Sequence, residues 1–221
     1  MKTCKKKIEK AVLMRGKLIT LEGIDGSGKS TVVKKLQENH DIRVFEPVFT
    51  REPTRGTLTG NAVQKAIQSD TDQFAELFLF TADHAEHLAK LVKPALENGK
   101  TVISDRYSDS RYAYQGITLK NRIENPLEWV KSLHRGWTVI PDLTILFDIE
   151  PEIAVERCGK RGEQTKFETI ELLRGVRNIF LRLAAEEPDR FIVVDASCSP
   201  EDVEKTVVQK ILEFVQRDEN K

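Results

Sequence analysis

The chain has 221 residues, with 35 Lys and Arg residues balanced by 35 Asp and Glu residues. This length suits one α/β domain with a sizeable core. A formal net charge of zero argues against a nucleic-acid coat protein, so we expect no nucleic-acid polymer as a partner. The widely spaced cysteines, Cys4, Cys158 and Cys198, fit neither a disulfide framework nor a zinc site, and they predict an intracellular, cytoplasmic protein.

The first 16 residues carry many lysines, and the apolar stretch from Ala11 to Met14 is too short for a signal peptide or a membrane span. We interpret residues 1–16 as a basic, flexible N-terminal extension. A single domain is expected over residues 17–217, followed by a tail over residues 218–221. We expect no membrane association.

A phosphate-binding motif stands at Gly23 to Ser30, where GIDGSGKS fits G-x-x-x-x-G-K-[ST] without a mismatch. The apolar run 18–21 before it predicts a strand, and residues 31–39 after it are compatible with a helix. In this context the loop N–H groups form a nest, and the helix N-terminus adds positive charge, so an anion binds there. We expect Lys29 to reach the β- and γ-phosphates and the Ser30 hydroxyl to bind Mg²⁺. A chance match is the alternative, and the correct flanks argue against it.

Short apolar runs alternate with helical patterns along the chain. The runs predict five strands, at Leu18–Ile24, Arg43–Phe45 with an extension over 48–50, Thr101–Ser104, Leu143–Phe147 and Phe191–Val194. Helical patterns follow at Phe74–Val92, Pro126–Gly136, Pro151–Gly159, Ile170–Leu183 and Ser199–Val215. The first of these helices is expected to continue beyond Val92, to kink at Pro94 and to end at Gly99. This alternation predicts a parallel sheet with right-handed crossovers and ligands at the carboxyl ends of its strands.

Charged side chains follow two of the predicted strands. Arg51 and Arg55 follow the second strand and are suited to clamping a phosphate, although surface loops often carry arginines. Asp105 ends the third strand, where it could hold Mg²⁺ directly or through water, and Arg106 beside it could neutralise a moving phosphoryl group. The alternatives are a helix cap for Asp105 and a surface ion pair for Arg106, but the nearby phosphate loop favours function for both.

A basic and polar segment over residues 159–168 connects two predicted helices. It contains Lys160, Arg161 and Lys166, and Arg157 precedes it. We interpret it as a lid that closes over phosphates, excludes water and adds cations to the transition state. An ordinary basic connection between helices explains the same residues equally well.

In this order, the motifs resemble the thymidylate kinase family of P-loop nucleoside monophosphate kinases. The phosphate loop is generic, but Thr50–Pro53, Asp105–Tyr107 and Ala113–Gly116 are specific in combination. The resemblance runs from about residue 17 to about residue 215. It implies a three-layer P-loop NTPase fold with a five-stranded parallel sheet, ATP and dTMP as substrates, Mg²⁺ as cofactor, a role in dTTP synthesis and a homodimer. The long helix with its off-stripe Leu79 is the expected interface.

The resemblance also implies roles position by position. Asp25 would accept a hydrogen bond from the sugar 3′-hydroxyl, Arg51 and Arg106 would hold the acceptor phosphate, and Arg157 would lie against adenine. Phe80 would stack on thymine, Gln115 would bond the base edge, and Tyr114 would favour deoxyribose. The implied ATP-binding residues are Gly23, Ile24, Asp25, Gly26, Ser27, Gly28, Lys29, Ser30, Thr31 and Arg157. The implied substrate-binding residues are Asp25, Arg51, Phe80, His84, Arg106, Ser110, Tyr114 and Gln115. The implied catalytic residues are Lys29, Asp105, Arg106, Arg161 and Lys166, with Ser30 and Asp105 at the metal.

The chain departs from the family pattern at several positions. His84 replaces an arginine that bonds thymine, and Thr54 with Arg55 replaces paired glycines, which predicts a stiffer loop. Gly26 stands where some members carry a catalytic arginine, so we expect a lid cation, either Lys166 or Arg161. These departures leave two alternatives open. One is a kinase of the same fold with another (deoxy)nucleoside monophosphate as acceptor, and the other is a nucleotide-binding regulatory protein with little catalysis.

Overall fold

The computed structural model describes residues 15–159 and 166–219, with side chains described as far as residue 217. The predicted N-terminal extension up to residue 14 lies outside the described residues. So does the centre of the predicted lid, including Lys160 and Arg161. In the described part of the chain, no helix combines the length and the apolar character needed to cross a membrane.

A five-stranded, all-parallel sheet forms the centre of the fold, in the order β2-β3-β1-β4-β5. The strands are β1 (Leu18–Gly23), β2 (Val48–Arg51), β3 (Val102–Asp105), β4 (Leu143–Asp148) and β5 (Phe191–Asp195). Every residue of β1 and of β3 is buried. Because both faces of these strands are covered, the sequence shows continuous apolar runs rather than alternation.

Helices cover both faces of the sheet, so the predicted three-layer fold is confirmed. They are α1 (Lys29–Glu38), α2 (His40–Arg43), α3 (Leu58–Ile67), α4 (Gln73–His87), α5 (Lys93–Glu97), α6 (Ser108–Thr118), α7 (Pro126–His134), α8 (Pro151–Gly159), α9 (Ile170–Glu186) and α10 (Pro200–Glu219). The largest core cluster joins sheet residues such as Ile145 to Leu36, Phe180 and Ile211 on three helices. A second cluster joins Leu18 and Val102 to the segment that follows α4.

The predicted strand over residues 43–45 is wrong, because Arg43 ends the short helix α2. The side chain of Asn39 accepts hydrogen bonds from the N–H groups of Asp41 and Ile42, which satisfies donors at the start of that helix. Ile42 is fully buried and anchors the turn. The strand proper is β2, which begins only at Val48, within the predicted extension.

The long predicted helix deforms where Pro94 interrupts it. Between α4 and α5, residues Leu88–Val92 form a π-helical turn. Proline lacks an N–H group, and its ring clashes with the carbonyl four residues earlier. The helical hydrogen-bond pattern therefore widens into a π-helical turn there. The helix then ends before Gly99, as predicted, and the Gly99 N–H donates to Leu96 O at 3.0 Å with φ at 73°.

The structure describes residues on both sides of the two predicted domain boundaries. Arg15 pairs with Asp142 at 2.9 Å, and the Gly16 N–H donates to Leu96 O at 2.8 Å, so residues 15 and 16 contact the domain. At the other end, α10 continues to Glu219, beyond the predicted domain end at residue 217.

Candidate active site

The carboxyl ends of the three neighbouring strands β1, β2 and β3 bring the predicted site residues to one edge of the sheet. In the strand register, Asp105 lies beside Leu21 of β1 on one side and beside Arg51 of β2 on the other. The loop from Gly23 to Ser30 follows β1 directly, and Arg106 follows β3. Parallel strand pairing therefore collects residues that are far apart in sequence.

The phosphate-binding loop wraps around the ammonium group of Lys29, which is buried. Its Nζ donates to Gly23 O at 2.9 Å, to Ile24 O at 2.8 Å and to Ser27 Oγ at 3.0 Å. Burial and the neighbouring Arg106 lower the pKa of Lys29 below its ordinary value. These contacts hold a cation at the N-terminus of α1, where the helix dipole also favours an anion.

Two hard oxygen donors meet where the loop faces the end of β3. The Ser30 hydroxyl donates to Asp105 Oδ2 at 2.8 Å. This donor type fits Mg²⁺, which binds oxygen ligands and usually keeps several water and phosphate ligands rather than an all-protein cage. The described residues contain no cluster of three or more His, Cys, Asp or Glu side chains able to hold a metal ion.

Two pockets open at this edge of the sheet. The first, which we name the loop pocket, has a volume of about 270 Å³ and is lined by Asp25, Gly26, Gly28, Lys29, Ser30, Thr31, Arg51, Asp105, Arg106 and Arg157. The second, the inner pocket, has a volume of about 190 Å³ and lies between the ends of β2 and β3 and the helices α4 and α6. Three charged residues line both pockets, namely Asp25, Arg51 and Arg106. The pockets therefore meet at one carboxylate and two guanidinium groups.

Arg106 is fixed at this junction by its own hydrogen bonds. Its Nη1 donates to Gly23 O and to Ser110 Oγ, both at 3.0 Å, and its Nη2 donates to Asp25 Oδ1 at 2.7 Å. Burial raises the pKa of Asp25, but the nearby Arg106 and Lys29 outweigh it and hold this pKa below its ordinary value. Asp25 is therefore a carboxylate at neutral pH.

Tyr114 completes this arrangement from α6. Its hydroxyl donates to Asp25 Oδ2 at 2.8 Å and accepts from the Asp25 N–H at 3.0 Å. Its ring lies 5.2 Å from the Arg106 guanidinium carbon. The two sides of the Asp25 carboxylate are thus occupied by an arginine and a tyrosine, which fix its orientation in the inner pocket.

Arg51 reaches both pockets from the end of β2. Its Nε is buried and has no hydrogen-bond partner among the described residues. Burial lowers the pKa of Arg51 from its ordinary value. A buried, unpaired donor is costly, so its position in a pocket wall favours an anionic ligand there.

The walls of the inner pocket carry Phe80, Ser110 and Gln115, which the sequence predicted at the substrate. Phe80 is half-buried and open to the pocket, whereas Leu77 on the same helix is fully buried in a separate core cluster. Phe80 therefore belongs to the pocket wall rather than to that core cluster. Its ring is available for stacking.

The structure does not bring His84, predicted at the substrate, to the surface of the inner pocket. His84 is fully buried, and the pocket lining does not include it. Its Nδ1 lies 2.8 Å from Glu52 Oε1, and its Nε2 lies 2.9 Å from Thr138 Oγ1. Polar partners on both sides keep this imidazole in the protein interior. Arg111 lines the pocket instead, packed against Glu52 and His84.

The predicted lid is described only in part. Lys166 Nζ lies 2.6 Å from Glu76 Oε2 and donates to the carbonyls of Ala66 and Ser69 at 3.3 Å. The structure does not bring Lys166 to the loop pocket, and Arg161 lies outside the described residues, so their catalytic roles stay predictions. The next residue, Phe167, does line the inner pocket, with its ring 5.8 Å from that of Tyr114.

Sequence reasoning missed several polar residues that shape the site. Glu22 accepts from the N–H groups of Tyr107 at 2.8 Å and Ser110 at 3.2 Å, which caps the start of α6. Burial, and next Asp109, raise the pKa of Glu22 above its ordinary value. Arg111 was also missed, although its spacing of four residues from Gln115 places both on one face of a helix.

The fold and the site define a P-loop kinase of nucleoside monophosphates. A family model described as Thymidylate kinase matches residues 21–207. A protein of Methanosarcina acetivorans named "Probable thymidylate kinase" is 88% identical, over 92% of this chain and 99% of the relative. Proteins of the same name from Methanosarcina barkeri and Natronomonas pharaonis are 80% and 49% identical, over 92% and 90% of this chain and 100% and 97% of the relatives. The chain belongs to the thymidylate kinase family.

Proposed function

We propose that this chain transfers the γ-phosphoryl group of ATP to the 5′-phosphate of dTMP, giving dTDP and ADP for dTTP synthesis. The observation that carries the proposal is the junction of the two pockets at Asp25, Arg51 and Arg106. A donor in the loop pocket and an acceptor in the inner pocket would bring their phosphates together between two guanidinium groups. Family membership supports the same reaction.

The donor side uses the phosphate loop. Loop N–H groups and Lys29 would hold the β- and γ-phosphates, since the anion gains from the helix dipole and from a buried cation. Arg157 lines the loop pocket and donates to Ala196 O at 3.0 Å, and its planar group would lie against adenine.

The acceptor side uses the inner pocket. Arg51 and Arg106 would clamp the acceptor phosphate, since a guanidinium fork suits phosphate better than an ammonium group does. Asp25 would accept a hydrogen bond from the sugar 3′-hydroxyl, and Tyr114 would crowd a 2′-hydroxyl. Phe80 would stack on the base, which contributes about 1–3 kcal/mol.

Transfer then needs no protein nucleophile, because positioning and electrostatic stabilisation carry the rate of phosphoryl transfer. Ser30 and Asp105 would hold Mg²⁺, which supplies neutralisation of phosphate charge. Arg106 would stabilise the charge on the moving group. Lys166 or Arg161 would add a lid cation.

We also propose that the protein is a cytoplasmic homodimer that pairs through α4. Phe78 on this helix is 52% exposed, and Leu79 beside it is half-buried. A large apolar side chain at such a site favours a protein contact. Light scattering at micromolar concentration should give the dimer mass, and a monomer mass would contradict the interface.

A coupled ADP-release assay tests the proposed reaction. ATP and Mg²⁺ are supplied with dTMP, dUMP, UMP, CMP, AMP and GMP in parallel, and Lys29→Ala is the inactive control. Preference for dTMP is expected. Turnover with another acceptor would keep the phosphoryl chemistry and overturn the base assignment. Binding of ATP without any turnover would favour a regulatory nucleotide-binding protein.

A further inference from the structure

Arg111 is a buried arginine in the wall of the inner pocket. Its side chain is 3% exposed, yet it lines the pocket together with Phe80 and Gln115. Its Nη2 donates to Glu52 Oε2. Its Nε is buried and has no hydrogen-bond partner among the described residues. The guanidinium therefore lines a ligand-sized cavity with Nη2 engaged by Glu52 and with Nε unpaired among the described residues.

Among the described residues, Glu52 is the carboxylate that forms an ion pair with Arg111. Glu52 Oε1 accepts from the Nδ1 groups of His84 at 2.8 Å and His87 at 2.7 Å. Burial raises the pKa of Glu52, but Arg111 and then His84 hold it well below its ordinary value. Burial lowers the pKa of His84, which is therefore neutral at pH 7. One carboxylate thus pairs with one guanidinium, and the imidazoles of His84 and His87 hold that carboxylate in place.

Two threonine hydroxyl groups hold these imidazoles in place from the opposite side of each ring. His87 Nε2 lies 2.6 Å from Thr50 Oγ1 on β2, and His84 Nε2 lies 2.9 Å from Thr138 Oγ1. Since a carboxylate only accepts, each Nδ1 carries a proton and donates it to Glu52. The position of Arg111 is consequently set by groups from the β2 end, α4 and the segment after α7.

Arg111 also shares a helix face with a second polar group of the pocket. Gln115 follows it by four residues on α6, so both side chains project from the same side. An arginine offers only donors, whereas a glutamine amide offers both a donor and an acceptor. Together, the two side chains match the edge of a ligand base that presents a carbonyl acceptor next to an N–H donor.

We propose that Arg111 determines base specificity by donating to the 4-carbonyl oxygen of the acceptor's pyrimidine, with Gln115 reading the adjacent ring position. The proposal rests on the proposed function, because it assigns the base edge within the same pocket. Thymine and uracil present an acceptor at position 4, whereas cytosine presents an amino donor there. A fixed guanidinium facing an amino group would stay unpaired, so the pocket selects 4-oxo over 4-amino pyrimidines.

The test compares dTMP with 5-methyl-dCMP, which share the methyl group and sugar phosphate and differ at the 4-oxo/4-amino edge. The readout is the ratio of their kcat/KM values, with KM for ATP measured alongside. Arg111→Met should lower this ratio about tenfold or more, because it removes the donors and keeps the length. Arg111→Lys keeps a cation beside Glu52 and should lower the ratio as well, since it loses the planar fork. Arg122→Met is the matched control, because Arg122 is an exposed arginine that pairs with Asp72.

The outcomes distinguish recognition of the base by Arg111 from a purely structural role of this residue. A lower ratio with unchanged KM for ATP in either Arg111 variant supports the proposal. A ratio within about twofold of wild type, even with both kcat/KM values reduced, would overturn it, because Arg111 then only pairs with Glu52. If Arg111→Met fails to fold, Arg111→Lys decides. If the wild-type chain does not phosphorylate dTMP, the proposed function fails. The inference about Arg111 is then tested by calorimetry, which compares the binding of dTMP with that of 5-methyl-dCMP. Equal affinity of the wild-type protein for the two nucleotides would then overturn it.

Discussion

Arg106 and Asp25 join the end of β3 to the phosphate-binding loop through a 2.7 Å hydrogen bond from Nη2 to Oδ1. The same guanidinium donates from Nη1 to Gly23 O at 3.0 Å, so it bridges two points of one loop. Arg106 adopts a φ of 68°, which aims its side chain at the junction of the two pockets. Asp25 is held from its other oxygen by the Tyr114 hydroxyl. The positive charge at the pocket junction is therefore positioned by the protein's own atoms.

Replacing Arg106 by lysine should lower kcat for dTMP about 10²–10³-fold, the usual effect of removing one preorganised donor. The lysine keeps the positive charge but cannot contact Gly23, Ser110 and Asp25 with one planar group. Steady-state kinetics with thermal melting checks this. Arg122→Lys, at an exposed ion pair, is the control and should leave kcat unchanged. An Arg106→Lys enzyme with kcat within about threefold of wild type would remove Arg106 from the transition state.

Much of the fold could be predicted because its signals are local. The strands β1, β3, β4 and β5 are apolar runs that need no distant partner to be recognised. The convergence of Arg51, Asp105 and Arg106 followed from parallel pairing alone, since the carboxyl ends of neighbouring strands meet at one edge.

The parts that could not be predicted depend on distant contacts. The helix α6 was missed because it buries polar side chains, among them Asp109, Arg111 and Gln115, which erases the apolar periodicity. Burial of His84 rests on Glu52 and Thr138, which lie 32 and 54 residues away in sequence. Pattern reasoning along one helix could not locate either partner.

Gly26 cannot accept a side chain, so a catalytic arginine at this loop position is excluded sterically. A Cβ there would lie 2.2 Å from the carbonyl oxygen of Ala154 on α8, and its φ is +81°. We expect Gly26→Ala to lower the free energy of unfolding, measured by urea denaturation, about 1–3 kcal/mol more than a control that meets no atoms. Gly56→Ala is that control, since it has a φ of +74° and no atom within 4 Å. Equal losses of unfolding free energy for both variants would show that the phosphate-binding loop shifts to make room for the extra carbon.

Asp83 ties the loop after β2 to α4. Thr54 donates to it from N at 2.8 Å and from Oγ1 at 2.5 Å, and Thr59 donates from Oγ1 at 3.0 Å. Thr54 stands in place of a family glycine, and these bonds support the predicted stiffening of the loop. We expect Asp83→Ala to leave buried donors unpaired and to lower the free energy of unfolding by about 2 kcal/mol or more.

Replacing Asp83 by alanine should also raise KM for dTMP, because Glu52 and Pro53 in this loop, and Arg51 at the end of β2, line the inner pocket. Urea denaturation and steady-state kinetics measure the two effects. Asp70→Ala, at an exposed position before α4, serves as the control. A stable Asp83→Ala protein with normal KM would show that the loop holds its position without this carboxylate.

His134 makes stability depend on pH from inside the core. Its Nδ1 donates to Val130 O at 2.9 Å, its ring stacks on Trp137 at 5.5 Å, and its Nε2 is buried with no hydrogen-bond partner among the described residues. Burial, and next Arg111, lower the pKa of His134 from 6.5 to about 3. Above pH 6.5 neither the folded nor the unfolded state carries this proton, so the full stability is present.

As pH falls below 6.5, unfolded chains bind the proton and folded chains do not until about pH 3, so stability is lost across this window. The loss from this group approaches about 1.4 kcal/mol per pH unit. His134→Phe keeps a ring against Trp137 and removes the titrating group, so its free energy of unfolding should fall less between pH 6 and pH 4. Urea denaturation across that range measures the difference, with His40→Gln as the control because its side chain is 92% exposed. An unchanged slope in His134→Phe would mean that the imidazole takes up its proton equally well in the folded protein.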